Sequence, residues 1–182
     1  NDSIISDIDI DKGYGEPVFD YSRDGIRRSV EESLARLKTD YLDTLLLHDP
    51  DQGGLESEAY QSAFPEMAKM KEEGIVKNVG CGMNECEMPI RFMKKIDLDK
   101  ILLAGRYTLL ENTKSRKFMK ICAEKNVKVI IGGPYNSGIL ARDLNSPVTY
   151  DYEVAPLKLI NRAKDIEKIA NNYNVSLKSA SL

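Results

Sequence analysis

Histidine is nearly absent from this sequence: its 182 residues contain one, His48. Cysteine is scarce as well, with Cys81, Cys86 and Cys122 making an odd count and no CxxC pair. A zinc-type site draws several Cys and His ligands from close spacings, and this set does not offer them, so no metal is expected. Scattered, odd-numbered thiols read as reduced side chains of a cytoplasmic protein. An excess of charge of one sign is also missing: 26 Lys and Arg stand against 29 Asp and Glu, interspersed, for a net charge of −3. That leaves no electrostatic reason to expect nucleic acid or an anionic membrane as partner. No apolar run approaches the roughly 20 residues that a spanning helix needs. The opening NDSIISDIDID is acidic where a signal peptide would be basic and then apolar.

Low-complexity segments and linkers of domain-boundary type are absent too, so residues 1–182 are expected to form a single domain. The composition, 42% hydrophobic and 30% charged, is that of a globular chain with a core. The sequence starts without Met and stops, in VSLKSASL, inside a helical pattern. A longer parent chain is therefore expected.

Four short apolar runs predict strands: Thr44–Leu47, Val76–Cys81, Lys100–Ala104 and Val127–Ile131. A weaker one is Ser3–Ile10. The first four show little period-2 alternation, as strands covered on both faces do in parallel sheets. Helical patterns lie between them. Ile26, Val30, Leu34 and Leu37 share a face, with Asp20 or Ser22 as cap. Tyr60, Ala63, Phe64, Met67 and Met70 form another, stopped by Gly74 and either kinked or begun at Pro65. Asn84 and Glu87 resemble a capping pair for a helix through Ile90 and Met93. Phe118, Ile121 and Cys122 mark a further helix. The last, about Leu157 to Tyr173, turns Ile160, Ala163, Ile166, Ile169 and Ala170 inward. The charged face Lys69–Glu73 reads as solvated surface. Arg142–Pro156 has no helical period and reads as a long loop of the kind that often forms a lid.

Alternation of strand and helix with short connections means βαβ units and a parallel sheet. A doubly wound sheet and a (β/α) barrel both fit, and both place their sites beyond the C-terminal ends of the strands. His48, Gly82–Asn84, Arg106–Tyr107 and Gly133–Ser137 all fall there. In DTLLLHDPD the imidazole thus stands where a buried strand ends, either as part of a site or as a strand-closing residue before the Asp49-Pro50 turn.

Several ordered phrases resemble the aldo-keto reductase family. They are YSRDGIRRSVEESLARLKTDYLDTLLLHDPD, MKEEGIVKNVGCGMNE, ILLAGRYTLLE and VIIGGPYNSGILA. The resemblance runs from about Phe19 to Leu182 and is greatest to the branch that holds aldose and pyridoxal dehydrogenases. It implies an α/β fold, a parallel (β/α)8 barrel of TIM type. Such a barrel usually takes about 250 residues. The chain would supply the part from about the third or fourth to the seventh strand and the helix after it.

The resemblance also implies a cofactor, NAD or NADP, and hydride transfer to or from a small-molecule sugar or carbonyl substrate. In this branch the typical reaction oxidises an aldose at its anomeric carbon to the lactone. Family members use Asp, Tyr, Lys and His together. The Asp and Tyr follow a strand not in this sequence, and Asp7 or Ile8 stands where the Lys is expected, with Lys12 nearby. Of the four only His48 is carried over, as donor of a hydrogen bond to the reacting oxygen.

Asn84 is implied as a ligand of the cofactor carboxamide; its other reading is an N-cap. The neighbouring Gln of the family is replaced by Ala104. Asn136, Ser137 and Gly138 are implied as a pyrophosphate turn, against an ordinary βα turn. Gly132 or Gly133 stands where relatives stack an aromatic on the nicotinamide, and Tyr135 is a candidate substitute. Arg106 and Tyr107 are substrate candidates by location, with Arg106 otherwise free to pair with Glu111. The alternative function is a non-catalytic or truncated barrel scaffold that keeps nucleotide affinity or only a partner surface. Its open sheet edges invite pairing with another chain, so a homo-oligomer is one outcome left open.

Overall fold

The computed structural model describes residues 19–50 and 54–182. The elements run α1 (Arg23–Leu37), β1 (Leu45–His48), α2 (Glu56–Glu58), a π turn (Ala59–Ala63), α3 (Phe64–Glu72), β2 (Val79–Met83), α4 (Glu87–Phe92), β3 (Lys100–Ala104), α5 (Ser115–Glu124), β4 (Lys128–Gly132), β5 (Thr149–Tyr150), β6 (Glu153–Val154), α6 (Leu157–Asn172) and α7 (Leu177–Ala180). The expected strand Ser3–Ile10, and with it Asp7, Ile8 and Lys12, lies outside the described residues.

Local chemistry sets the boundaries. Ser22 caps α1 by accepting the Gly25 N–H, and the Asp20 carboxylate accepts the Ser22 N–H at 3.1 Å. Both cap candidates thus act, one through the other. Lys38 ends the helix in the left-handed region at φ 53°. Val30 is buried in the core, but Leu37, expected inward, is 65% exposed because the helix runs past the sheet at its last residue. Pro65 lies in the first turn of α3 and has no N–H for the carbonyl four residues back. The chain meets this with a wider turn, in which the Phe64 N–H bonds the Ala59 carbonyl five residues back. Gly74, at φ 78°, takes the conformation that ends the helix.

β1 to β4 form one parallel sheet in chain order. Pairing puts Leu47, Cys81, Ile101 and Val129 in one row across it. Leu47, Cys81 and Ile101 are buried with Val30 of α1, Met67 of α3, Phe92 of α4 and Phe118 of α5. Phe92 is fully buried, with Phe64 edge-on at 4.9 Å and Tyr60 at 4.8 Å between centroids. The next row, His48, Gly82, Leu102 and Ile130, points to the opposite face by the alternation of strands. Among the described residues no helix covers that face: Leu102 is half-buried and Ile130 exposed, although Gly80 and Gly82 of β2 are buried. Helices on one face only make this a stretch of barrel wall, which decides between the two parallel architectures. The uncovered face is the lumen side.

A second apolar cluster joins Leu110, Ile139, Leu140, Leu144, Val148, Ala163 of α6 and Leu177 of α7. Ile169, expected inward on α6, is 60% exposed, whereas Ala170 beside it is buried. The stretch Arg142–Pro156 is not a plain loop. It contains the two-stranded hairpin β5–β6, with Thr149 paired to Val154 and Tyr150 to Glu153.

Candidate active site

Because all four strands are parallel, the residues that follow them emerge at one end of the sheet. His48 closes β1 there, and the Gly133–Gly138 turn follows β4 at the same end. Three strand spacings, about 14 Å, separate β1 from β4 along the sheet.

His48 keeps its backbone in the ladder. Its carbonyl accepts the Tyr21 hydroxyl, and the following Asp49 N–H bonds the Gly82 carbonyl at 3.0 Å. Its ring is left out of the packing, with the side chain 80% exposed. Nε2 stands 3.8 Å from an Asp49 carboxylate oxygen, beyond hydrogen-bond range, so among the described residues neither ring nitrogen is hydrogen-bonded.

The position beside the imidazole lacks a side chain. Gly82 pairs with His48, and a Cβ placed on it would meet only the Leu102 Cβ, at 4.0 Å. One layer further toward the mouth, Ala104 pairs with Gly132. A Cβ on Gly132 would come within 2.9 Å of the Leu102 side chain. Gly82, Ala104 and Gly132 thus lack long side chains at this end of the sheet, but Leu102 stands among them with its side chain against Gly132, and only Gly82, itself buried, is next to His48.

Asn84 follows β2 and is exposed. It does not cap α4. Glu85 does that work: its carboxylate accepts the Glu87 N–H at 2.6 Å and the Met88 N–H at 2.7 Å. The expected Asn84–Glu87 pair is thus replaced by one residue, and the Asn84 amide keeps its donors and acceptor for another partner.

Asn136, Ser137 and Gly138 all have positive φ, at 47°, 57° and 100°. The Asn136 and Gly138 N–H groups are used inside the turn, on the Gly133 and Tyr135 carbonyls. Among the described residues the Ser137 N–H has no acceptor, so it is the donor left for an anion. The Asn136 side chain is 2% exposed and structural in its contacts. Its Nδ2 donates to the Gly105 carbonyl at 2.9 Å and its Oδ1 accepts the Thr108 hydroxyl at 2.5 Å. It ties the turn after β4 to the loop after β3. Tyr135 packs into the second apolar cluster.

Arg106 and Tyr107 part company. Arg106 faces a cleft of about 560 Å³ with Glu85, Cys86, Glu111 and Tyr150. Its partner is not Glu111 but Asp151, through two bonds of 3.0 Å from the hairpin tip. Glu111 instead accepts the Tyr150 hydroxyl at 2.8 Å. Burial first, and then that carboxylate, push the Tyr150 phenol up to about 12. Tyr107 lines a separate groove with Ile131 and Leu182. The hairpin, invisible as such in the sequence, is thus fastened over the site's rim. Its Thr149 hydroxyl also donates to the Ser137 carbonyl at 2.8 Å, and its Tyr152 N–H to Ser137 Oγ at 3.2 Å.

The three cysteines are buried and unpaired. Burial drives the Cys81 thiol up to about 12 and Cys86 and Cys122 to about 11, so none is a nucleophile at neutral pH. No group of three or more His, Cys, Asp and Glu suited to a metal ion occurs among the described residues. No helix among them is long and apolar enough to cross a membrane.

Comparison with known proteins identifies the family and the fold. The chain is 37% identical over 165 residues to D-threo-aldose 1-dehydrogenase of a Pseudomonas species, an alignment that takes in 90% of this chain and 50% of that protein. It is 32% identical over 173 residues to pyridoxal 4-dehydrogenase of Microbacterium luteolum, covering 91% of this chain and 51% of that one. It spans about half the length of these relatives. The fold superimposes on the holo form of the aldo-keto reductase AKR11C1 from Bacillus halodurans with a TM-score of 0.62 at 25% identity, over 75% of this chain and 45% of that one. The glycerol dehydrogenase AKR11B4 from Gluconobacter oxydans shares the fold with a TM-score of 0.68 at 21% identity, over 90% and 52%. The described sheet is accordingly part of a TIM-type barrel. The model of the aldo/keto reductase family matches residues 10–182, and the chain belongs to that family.

Proposed function

We propose that the protein carrying this chain is an NAD(P)-dependent oxidoreductase acting on an aldose or a similar small alcohol or carbonyl compound. The observation that carries the reading is the exposed imidazole of His48 at the same end of the parallel sheet as the Ser137 turn, whose N–H has no acceptor among the described residues. The kinship with D-threo-aldose 1-dehydrogenase and pyridoxal 4-dehydrogenase supports the substrate class.

A bound nicotinamide supplies the hydride acceptor or donor. This chain's residues hold and orient. The Asn84 amide offers a donor and acceptor to the nicotinamide carboxamide, and the Ser137 N–H offers a donor to phosphate. His48 donates to the oxygen on the reacting carbon and fixes that carbon's face toward the ring. In the oxidising direction the carbon loses its hydrogen with the electron pair and the oxygen loses its proton. The base for that proton lies outside the residues described here. Arg106 is engaged by Asp151, so any contact of Arg106 with substrate is shared with the hairpin; Tyr107, in its separate groove, is not brought to the same cleft.

The test is titration of the full-length protein with NADH and NADPH, followed by assay of aldoses and pyridoxal. Saturable binding with nucleotide reduction on adding sugar supports the reading. Binding without turnover of any carbonyl or alcohol would leave the scaffold reading in its place.

A further inference from the structure

The turn of the β5–β6 hairpin is made by Asp151 and Tyr152, both at positive φ, 49° and 67°. Two consecutive positive φ values are the geometry of a tight hairpin turn that Asn-Gly normally fills. Asp tolerates it; a bulky aromatic does so only under strain. Burial does not explain the aromatic, since Tyr152 is 94% exposed. The neighbouring side chains do have structural work. Thr149, Tyr150 and Asp151 each tie the hairpin down, to Ser137, Glu111 and Arg106. Tyr152 alone turns its ring to solvent, while its N–H sits on Ser137 Oγ. A hairpin held at three points therefore presents an uncovered aromatic face within one side-chain length of a turn whose Ser137 N–H has no acceptor among the described residues.

We propose that the Tyr152 ring is a ligand-binding residue that stacks on the nucleobase of the bound dinucleotide. The proposal rests on the nucleotide reading above and extends it. The chemistry follows the order of groups along a dinucleotide: adenosine lies next to the pyrophosphate, and every base offers a π face to an aromatic ring.

The experiment uses the full-length protein and four variants: Tyr152→Ala, Tyr152→Gly, Tyr152→Phe and Tyr152→Trp. Affinities for NADPH, NADH, ADP and nicotinamide mononucleotide are measured by calorimetry. In Tyr152→Ala, affinity for ADP and for both dinucleotides is expected to fall about tenfold or more, the scale of an aromatic–base stack. Affinity for nicotinamide mononucleotide stays unchanged, and Phe and Trp restore the loss. Tyr152→Gly gives a separate signature: it relieves the positive φ, so the melting temperature rises while ADP affinity still falls. Wild-type and Tyr152→Ala proteins that bind ADP equally overturn the proposal and leave the cofactor reading intact. So does an unchanged nucleotide affinity with a raised KM for sugar, which would assign the ring to the substrate. A wild-type protein that binds no nucleotide at all removes both readings together.

Discussion

Arg106 and Asp151 meet through two parallel hydrogen bonds, Nη1 and Nη2 each 3.0 Å from a different carboxylate oxygen, joining the loop after β3 to a hairpin 45 residues later. This bidentate geometry is the strong form of the ion pair. Partial exposure of Asp151 screens it, so the expected contribution is about 0.5–1 kcal/mol. Arg106→Gln should therefore raise amide hydrogen exchange in Thr149–Val154 by about twofold to fivefold with global stability nearly constant. Exchange unchanged in those residues would show that Tyr150 and Thr149 hold the hairpin without the pair.

Asn136 is the deeper joint. Its amide joins Gly105 and Thr108 from within a 2%-exposed site. Asn136→Ala removes the partner of a carbonyl and of a hydroxyl and keeps the positive φ that Asn tolerates. The expected loss is about 1–3 kcal/mol, read as a lower urea midpoint with the same m value. A midpoint within error of wild type would mean that water replaces the amide and that the two loops are not coupled through it.

These two joints mark where the sequence stops being readable. The strands were legible because Leu45–Leu47, Lys100–Ala104 and the run before Gly132 are apolar blocks of strand length between helical periods. Parallel order followed from that alternation, and with it the placement of His48 and the Ser137 turn at one mouth. Asn84 and Glu85 were confused because both are cap formers one position apart, and only the backbone shows which one reaches the Glu87 N–H. The β5–β6 hairpin was hidden for a different reason. Its turn uses Asp-Tyr in place of Asn-Gly, and its strands are two residues each, too short for a period. What fastens it, Arg106 to Asp151 and Tyr150 to Glu111, are long-range pairs that no local pattern carries.

Two glycines on β2 give opposite expectations for one substitution. A Cβ on Gly80 would lie 1.7 Å from the Lys100 carbonyl oxygen, which is backbone and cannot move without parting β2 from β3. A Cβ on Gly82 would meet nothing nearer than 4.0 Å. Gly80→Ala should cost about 1–3 kcal/mol or prevent folding. Gly82→Ala should leave stability within about 0.5 kcal/mol. Gly82→Leu should fold but lose nucleotide binding by occupying the position beside His48. Thermal melts of the three proteins with a dinucleotide titration check the set. Tight nucleotide binding by Gly82→Leu would move the ring site away from this position.

Asp99 links stability to pH. Its carboxylate accepts the Val79 N–H at 2.8 Å and pairs with Lys71 at 2.6 Å. Burial acts to raise its pKa, but the Lys71 bond, the Val79 N–H and the charges of Lys71 and Lys100 together outweigh that and lower it. A group depressed in the folded state contributes stability at pH values above its unfolded pKa, about 3.9, and that contribution is lost as pH falls through the folded value. The stability gap between wild type and Asp99→Asn should therefore be constant from pH 7 to about 5 and close as pH drops below about 4. A gap that persists unchanged in acid would mean that the bond to Val79 acts through geometry alone.

His48 separates function from fold more sharply than any other residue in the chain. Its side chain is 80% exposed, so His48→Ala should change stability by no more than about 0.5 kcal/mol. Its backbone carbonyl still receives the Tyr21 hydroxyl in the variant, which keeps β1 in register. Loss of a preorganised donor to the reacting oxygen should lower kcat by about 10²–10³. If His48 acts on the substrate oxygen as proposed, dinucleotide affinity should stay the same. Gln at this position keeps an N–H donor on a flexible stem and should recover part of the rate. Parallel measurement of kcat, nucleotide Kd and melting temperature for the three proteins resolves the assignment. Equal kcat in His48→Ala and wild type would reduce His48 to a residue that merely closes a strand, and a loss confined to nucleotide Kd would place the imidazole against the cofactor instead.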